Sequence, residues 1–354
     1  MENHIFYLIV GTYTSGKSEG IYLFRFDLLS AETEFISMAA VENPSYLTCS
    51  HDYKYIFAVT ENEGKPSYAN AFSFDRRKGE LVFINRQPTH GDAPCFIATD
   101  PEGKSVVTAN YGGGSITVFP VERNGALEPP AQVIRFTGHG TDPVRQEKPH
   151  IHCIGFTPDH LDLLATDLGT DHLYKFTWDS TSPKGSINEV SRSDYGITAG
   201  SGPRHFIFHP SGKFLYLINE LSGTVMVFSY NNRNLTLIQE LETHIINGKG
   251  GGDIVITPDG KWLYASNRLK NDGVAVFSVC ADTGRLTRLD YQSTGIHPRN
   301  IAVSPNGRYL LVANKDSHLI EIFHIDPKSG LLHDTGKTIK LDQPVCLIFA
   351  PLQN

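Results

Sequence analysis

Pro203-Arg-His-Phe-Ile-Phe-His-Pro210, followed after Ser211-Gly-Lys213 by Phe214-Leu-Tyr-Leu-Ile-Asn-Glu220, reads as two short apolar strands joined by a tight turn. Used as a ruler, this unit recurs along the whole chain. It opens at Pro44-Ser45, Pro94-Cys95, Ile151-His152, Pro203-Arg204, Gly251-Gly252, Pro298-Arg299 and Pro344-Val345. Its turn falls seven residues on, at His51, Pro101, Pro158, Pro210, Pro258, Pro305 and Pro351. Successive openings are 50, 57, 52, 48, 47 and 46 residues apart, a quasi-regular period that signals one repeating array rather than independent domains.

The seventh copy is divided. Pro344-Val-Cys-Leu-Ile-Phe-Ala-Pro351 matches the first strand of a repeat, and Phe6-Tyr-Leu-Ile-Val-Gly-Thr12 matches a second strand with no first strand before it. The two ends thus complete one repeat, which serves a closed ring because closure removes exposed sheet edges. Later strands are legible in Thr224-Val-Met-Val-Phe-Ser-Tyr230 and Val274-Ala-Val-Phe-Ser-Val279, with turns at Asp282-Thr-Gly284 and Asp326-Pro-Lys-Ser-Gly330. A more polar fourth strand, such as Arg285-Leu-Thr-Arg-Leu-Asp290, suits a solvent-facing outer edge. No run of ten residues keeps a capped helical period. The pattern predicts an all-β, seven-bladed β-propeller of four-stranded antiparallel blades, with residues 1–354 as one domain.

Composition bounds the partners. The 354 residues are 40% hydrophobic and 19% charged, which allows an extensive core, and the net charge is −7. An acidic surface argues against nucleic acid or an anionic membrane as the main partner. Cys49, Cys95, Cys153, Cys280 and Cys346 form an odd set without a CxxC pair, four of them in first strands, so they read as reduced core residues. The run Ile5 to Val10 is too short for a secretory h-region and already serves as a strand. Cytoplasmic residence is the expectation, with the periplasm as the alternative if a leader was trimmed before Met1. Oligomeric state stays open.

Two motif matches near the N-terminus fail on context. Gly11-Thr-Tyr-Thr-Ser-Gly-Lys-Ser18 satisfies the phosphate-loop pattern, but the following Gly20-Ile-Tyr-Leu-Phe-Arg-Phe-Asp27 is a strand. A phosphate loop needs the amides and dipole of a following helix. Gly16-Lys-Ser-Glu-Gly20 likewise lacks the strand-to-helix turn of a nucleophile elbow.

The repeat register itself selects the chemistry. In an antiparallel blade the start of the first strand and the end of the second lie at the same end. The residues just after the openings are Ser45, Cys95, His152, Arg204, Gly252, Arg299 and Val345. The residues ten beyond the turns are Glu61, Tyr111, Leu168, Glu220, Arg268 and Lys315, with Thr12 in the divided copy. Around a central channel these positions form a ring at one mouth, a cationic cup on an acidic protein. Arginine forks bind carboxylate or phosphate bidentately, each contact contributing roughly 1.5–3 kcal/mol. A histidine and a carboxylate supply proton transfer, typically about 10²–10⁴ in rate. With no nucleophile among these groups, water would be activated directly. Against this stands the ordinary reading of a blade-end Arg–Glu pair as a structural ion pair, which weighs most for Arg299 and Lys315. Pro149-His-Ile-His152 is two residues longer than its counterparts, so the register favours His152 for the ring and leaves His150 open. His205 and His209 read as core or flank residues. No metal site and no cofactor are expected.

Asn110-Tyr-Gly-Gly-Gly-Ser115, Arg145-Gln146 with Pro149-His-Ile-His152, Asp167-Leu-Gly-Thr-Asp171, Gly202-Pro-Arg-His205, His209-Pro210, Asn219-Glu-Leu221, Ser266-Asn-Arg268 and Pro344-Val-Cys346 together resemble the bacterial seven-bladed 6-phosphogluconolactonase family. The resemblance runs from Gly11-Thr-Tyr-Thr14 to Pro344-Val-Cys346. That family is similar in turn to the fungal carboxymuconate lactonizing enzymes, whose proposed site joins a histidine, two arginines and a glutamate. The resemblance puts those catalytic roles on His152 (or His150), Arg204, Glu220 and Arg268. It implies metal-free hydrolysis of 6-phosphoglucono-1,5-lactone in the pentose phosphate pathway. Glu220 or His152 would be the base, and Arg204 and Arg268 would hold the carbonyl oxygen and an anionic group. Arg145, Arg299 or Lys315 would meet the phosphate, with His150 and Tyr111 as further substrate contacts. The expected partner is therefore a small anionic sugar lactone or sugar phosphate. A muconate-type cycloisomerase is the alternative enzyme. A non-catalytic interaction platform is the alternative of another class, weakened by the absence of repeated Trp-Asp or Gly-His signatures.

Overall fold

The computed structural model describes residues 4–182, 184–244 and 249–353, and among these residues it contains twenty-eight strands and no helix. From β1 (Ile5–Thr12) to β28 (Pro344–Pro351) the strands make seven four-stranded antiparallel sheets. One blade shows the plan: β16 (Pro203–Phe208), β17 (Phe214–Asn219), β18 (Thr224–Asn231) and β19 (Asn234–Glu242) pair in order. Every residue of β17 is buried, which its unbroken apolar run required, whereas β19 alternates toward solvent. The divided blade is built as the repeat implied, in the order β28-β1-β2-β3, where β2 is Gly20–Asp27 and β3 is Thr33–Ala40.

The first strands of the other blades are β4 (Leu47–Cys49), β8 (Pro94–Thr99), β12 (Ile151–Phe156), β20 (Gly251–Ile256) and β24 (Pro298–Val303). With β16 and β28 they touch their neighbours in a closed circuit around the axis. Six openings of the ruler coincide with a strand start. The seventh does not: the strand expected at Pro44 begins only at Leu47. The 57-residue interval comes from a segment between β11 (Gln132–Arg135) and β12 that packs over the rim.

Among the described residues the core consists of seven apolar clusters, each filling the seam between two adjacent blades, such as Tyr216, Ile218, Leu263 and Phe277 in one seam. Second-strand tyrosines latch the seams. Tyr7, Tyr216, Tyr264 and Tyr309 donate their hydroxyls to turn carbonyls of the neighbouring blade at 2.8–3.0 Å, Tyr216 to Gly284 O for example. A seam-by-seam core leaves the axis free for polar groups. The free thiols follow the expectation in part: Cys95, Cys153 and Cys346 are buried, Cys49 is half-buried, and Cys280 is exposed. Among the described residues no helix is long and apolar enough to cross a membrane.

Candidate active site

A β-bulge recurs at the second residue of the inner strands. The ladder skips Cys95, His152, Arg204, Arg299 and Val345, and it makes an equivalent shift across Gly252-Asp253. A bulge frees one residue from pairing and re-aims its side chain. The residue after each second strand is fixed by a matching bond. Glu61, Tyr111, Leu168, Glu220, Arg268 and Lys315 each donate their N–H to the carbonyl just before the opening, as in Glu220 N to Gly202 O at 2.7 Å. Tyr13 makes this bond too, to Gln343 O. In the divided blade the ring position is therefore Tyr13. Thr12 pairs with Pro344 and buries its hydroxyl against Ser18 and Gly20 O. The sequence ruler slipped by one residue where it had only half a repeat to align.

Glu220 is the hub. Arg268 Nη2 lies 2.6 Å and Arg204 Nε 3.1 Å from its Oε2, and Arg145 Nη2 lies 2.5 Å from Oε1. Burial alone would raise its carboxyl, but Arg268, Arg204 and Arg145 hold it down at about 2. Arg204 is almost wholly enclosed and also donates to Gly252 O. Arg145 comes from the long rim segment, whose shape Gln146 sets: its buried amide accepts from Thr141 N and Asp142 N and donates to Leu168 O.

His152 Nε2 stands 3.9 Å from Glu220 Oε2. Its ring packs edge-on against Tyr111 and His205, with Cys95 Sγ 3.7 Å from Nδ1. Burial, then Arg204, His205, Arg299 and Arg268, push its pKa well below the usual 6.5. The imidazole is therefore neutral at physiological pH and can accept a proton. His150, the alternative, is engaged in the wall. It stacks on Tyr111 at 4.3 Å and holds Tyr111 O and Glu147 with its two nitrogens.

Across the cup, Tyr13 donates its hydroxyl to Glu61 Oε2 at 2.9 Å, and Arg299 Nη2 lies 3.8 Å from the same oxygen. Arg299 and Lys315 both lean on the Tyr13 ring, at 5.3 and 5.8 Å from its centre. His297, which sequence reasoning passed over, bridges the two sides. Its Nε2 meets Arg268 Nη1 at 3.2 Å, and its Nδ1 meets Asp316, the partner of Lys315. The floor was also missed. His205 Nδ1 bonds Asp253 at 2.8 Å, and Asp253 holds Asn300, while Tyr46 stacks on Phe96 beside them. This layer separates the cup from a cavity of about 740 Å³ that runs along the inner strands toward the opposite mouth. His205 is thus a core residue, as expected, but one that carries the weight of His152. Beside Glu220 and Arg145 a cavity of about 530 Å³ opens to the rim.

The phosphate-loop match is occupied from within. Lys17 N and Ser18 N, the amides that would face a phosphate, both point at Asp342 Oδ2. Gly252 has a tighter constraint, since a Cβ there would meet Pro298 O at 2.8 Å and Ser266 Oγ at 2.5 Å. Gly252→Ala is expected to destabilise the fold by about 1–3 kcal/mol and to displace the carbonyl that anchors Arg204. Urea unfolding with a parallel activity assay checks both effects.

Comparison with known proteins meets this geometry from outside. The profile of the family described as "Lactonase, 7-bladed beta-propeller" matches residues 7–349. A 6-phosphogluconolactonase of Bacillus subtilis is 34% identical over 347 residues, covering 96% of this chain and 97% of the relative. A Bacteroides fragilis crystal structure, provisionally assigned as a 6-phosphogluconolactonase, superposes with a TM-score of 0.95 at 48% identity over 98% of each chain. The periplasmic gluconolactonase of Pseudomonas aeruginosa superposes at 0.92 with 33% identity, covering 99% of this chain and 100% of its own. The chain belongs to the seven-bladed β-propeller lactonase family.

Proposed function

We propose that this protein hydrolyses a sugar lactone, 6-phosphoglucono-1,5-lactone, to 6-phosphogluconate, a step of the oxidative pentose phosphate pathway. The observation that carries the reading is the Glu220 hub, where one carboxylate gathers three guanidiniums beside a neutral imidazole. Family membership and the 6-phosphogluconolactonase relative support the reaction class. They do not favour the cycloisomerase or platform alternatives.

Glu220 Oε2 and His152 Nε2, 3.9 Å apart, suit the two donor arms of one water molecule. Glu220, held near pKa 2, accepts a hydrogen bond but is too weak a base to take the proton. His152 takes it as the water oxygen bonds to the lactone carbonyl carbon. The carbonyl oxygen gains negative charge within the field of Arg145, Arg204 and Arg268. The ring C–O bond then breaks, and His152 returns the proton to the departing ring oxygen. Arg145, with 38% of its side chain exposed against 2% for Arg204 and 5% for Arg268, is the guanidinium that reaches the substrate. Arg204 and Arg268 act through Glu220, which they orient.

The direct test measures opening of 6-phosphogluconolactone generated in situ, corrected for spontaneous hydrolysis. A catalysed rate well above background is the expected result, and a rate equal to background would sink the reading. Because His152 must be neutral to act and its pKa is depressed, kcat/KM should stay level from pH 8 down through 6.5 and fall only at more acid pH. An acid limb centred at 6.5 would assign the proton transfer elsewhere. The P. aeruginosa relative supports a second reading, phosphate-free gluconolactone as substrate in the periplasm. The phosphorylated substrate fits the cytoplasm, where free thiols such as Cys95 and Cys346 persist.

A further inference from the structure

We infer that Tyr13, Arg299 and Lys315 form a phosphoryl subsite on the wall of the cup opposite Glu220, a conclusion that rests on the lactonase reading above. The blades divide the cup into two sides. Three consecutive blades, from β12 to β23 (Leu286–Ser293), supply His152, Arg204, Glu220 and Arg268. The three that follow, from β24 through the divided blade to β7 (Glu80–Pro88), supply Arg299, Lys315, Tyr13 and Glu61.

The cations on the two sides differ in what they have left to give. Arg145, Arg204 and Arg268 each bond the Glu220 carboxylate at 3.1 Å or less. Arg299 has its carboxylate contact at 3.8 Å, beyond hydrogen-bond reach, to an oxygen that already accepts from Tyr13. Lys315 has three donors, and Asp316 lies 3.1 Å from the ammonium. Arg299 and Lys315 are 16% and 26% exposed, so a ligand in the cup can reach them. Because both lean on one ring, their charges converge on one patch.

A guanidinium fork and an ammonium side by side suit the three acceptor oxygens of a phosphate monoester. A 6-phosphohexono-1,5-lactone can bridge the two sides, because its carbonyl carbon and the carbon bearing the phosphorylated arm flank the ring oxygen, and the carbonyl oxygen and the arm project to either side of it.

The test compares Lys315→Met and Arg299→Lys with wild type on 6-phosphogluconolactone and on glucono-1,5-lactone, with melting curves to confirm folding. Both variants should lower the preference for the phosphorylated lactone at least ten-fold, chiefly through KM. Inorganic phosphate should inhibit wild type competitively and both variants more weakly. A preference unchanged in both variants, with wild type active, overturns the subsite alone. So does a wild type that prefers the phosphate-free lactone. A wild type that opens neither lactone above background overturns the lactonase reading, and the subsite with it.

Discussion

Glu220→Gln is expected to lower kcat/KM by roughly 10³-fold while also destabilising the fold by about 3–5 kcal/mol at neutral pH. Both effects have one origin: the variant leaves Arg145, Arg204 and Arg268 around an uncharged amide, two of them almost fully enclosed. Acidification separates charge from shape. The Glu220 carboxyl ordinarily ionises near 4.5 and in the fold does so near 2. Its contribution is therefore complete above pH 4.5 and is lost as pH falls toward 2, about 3 kcal/mol in all. The stability gap between wild type and Glu220→Gln, followed by denaturant unfolding, should narrow over that window. A gap independent of pH, or a loss of activity under ten-fold, would remove Glu220 from the centre of the site.

His152→Gln should cut kcat by about 10²–10⁴, with KM changed only a few-fold and the melting temperature nearly kept. The amide fills much of the same space but accepts a proton far less readily than an imidazole. His152 lies outside the strand ladder, so the sheet does not depend on it. The variant should also lose the acid limb of the wild-type pH profile. A variant with normal kcat and raised KM would make His152 a binding group and return the base to Glu220.

The propeller was legible because its inner strands repeat as apolar runs closed by a turn seven residues on, a pattern set by burial. The ring was legible because strand ends in an antiparallel blade share an edge, which named His152, Arg204, Glu220, Arg268, Arg299 and Lys315 by counting. Counting fails where the repeat is incomplete, and so Tyr13 was displaced to Thr12 by one residue. It also fails for contacts made off the repeat. Resemblance, not register, singled out Arg145, which arrives on the rim segment, and nothing singled out His297, which stands just before an opening. Spacing favoured His152 over His150 without closing the choice, because the bulge that skips His152 is a property of hydrogen bonding. The phosphate-loop match shows the converse, a sequence pattern whose amides are claimed by Asp342 from a distant part of the chain.

The bulges carry a consequence for how such a protein changes over time. A side chain that the ladder skips can be exchanged without breaking a sheet bond, so five of the seven blades offer the cup a position that the strand pairing itself does not use. Here those positions read Cys95, His152, Arg204, Arg299 and Val345. Val345, opposite the chemistry and free of polar duties in this ring, is a place where a designer could write in a new recognition group while the scaffold stays as it is.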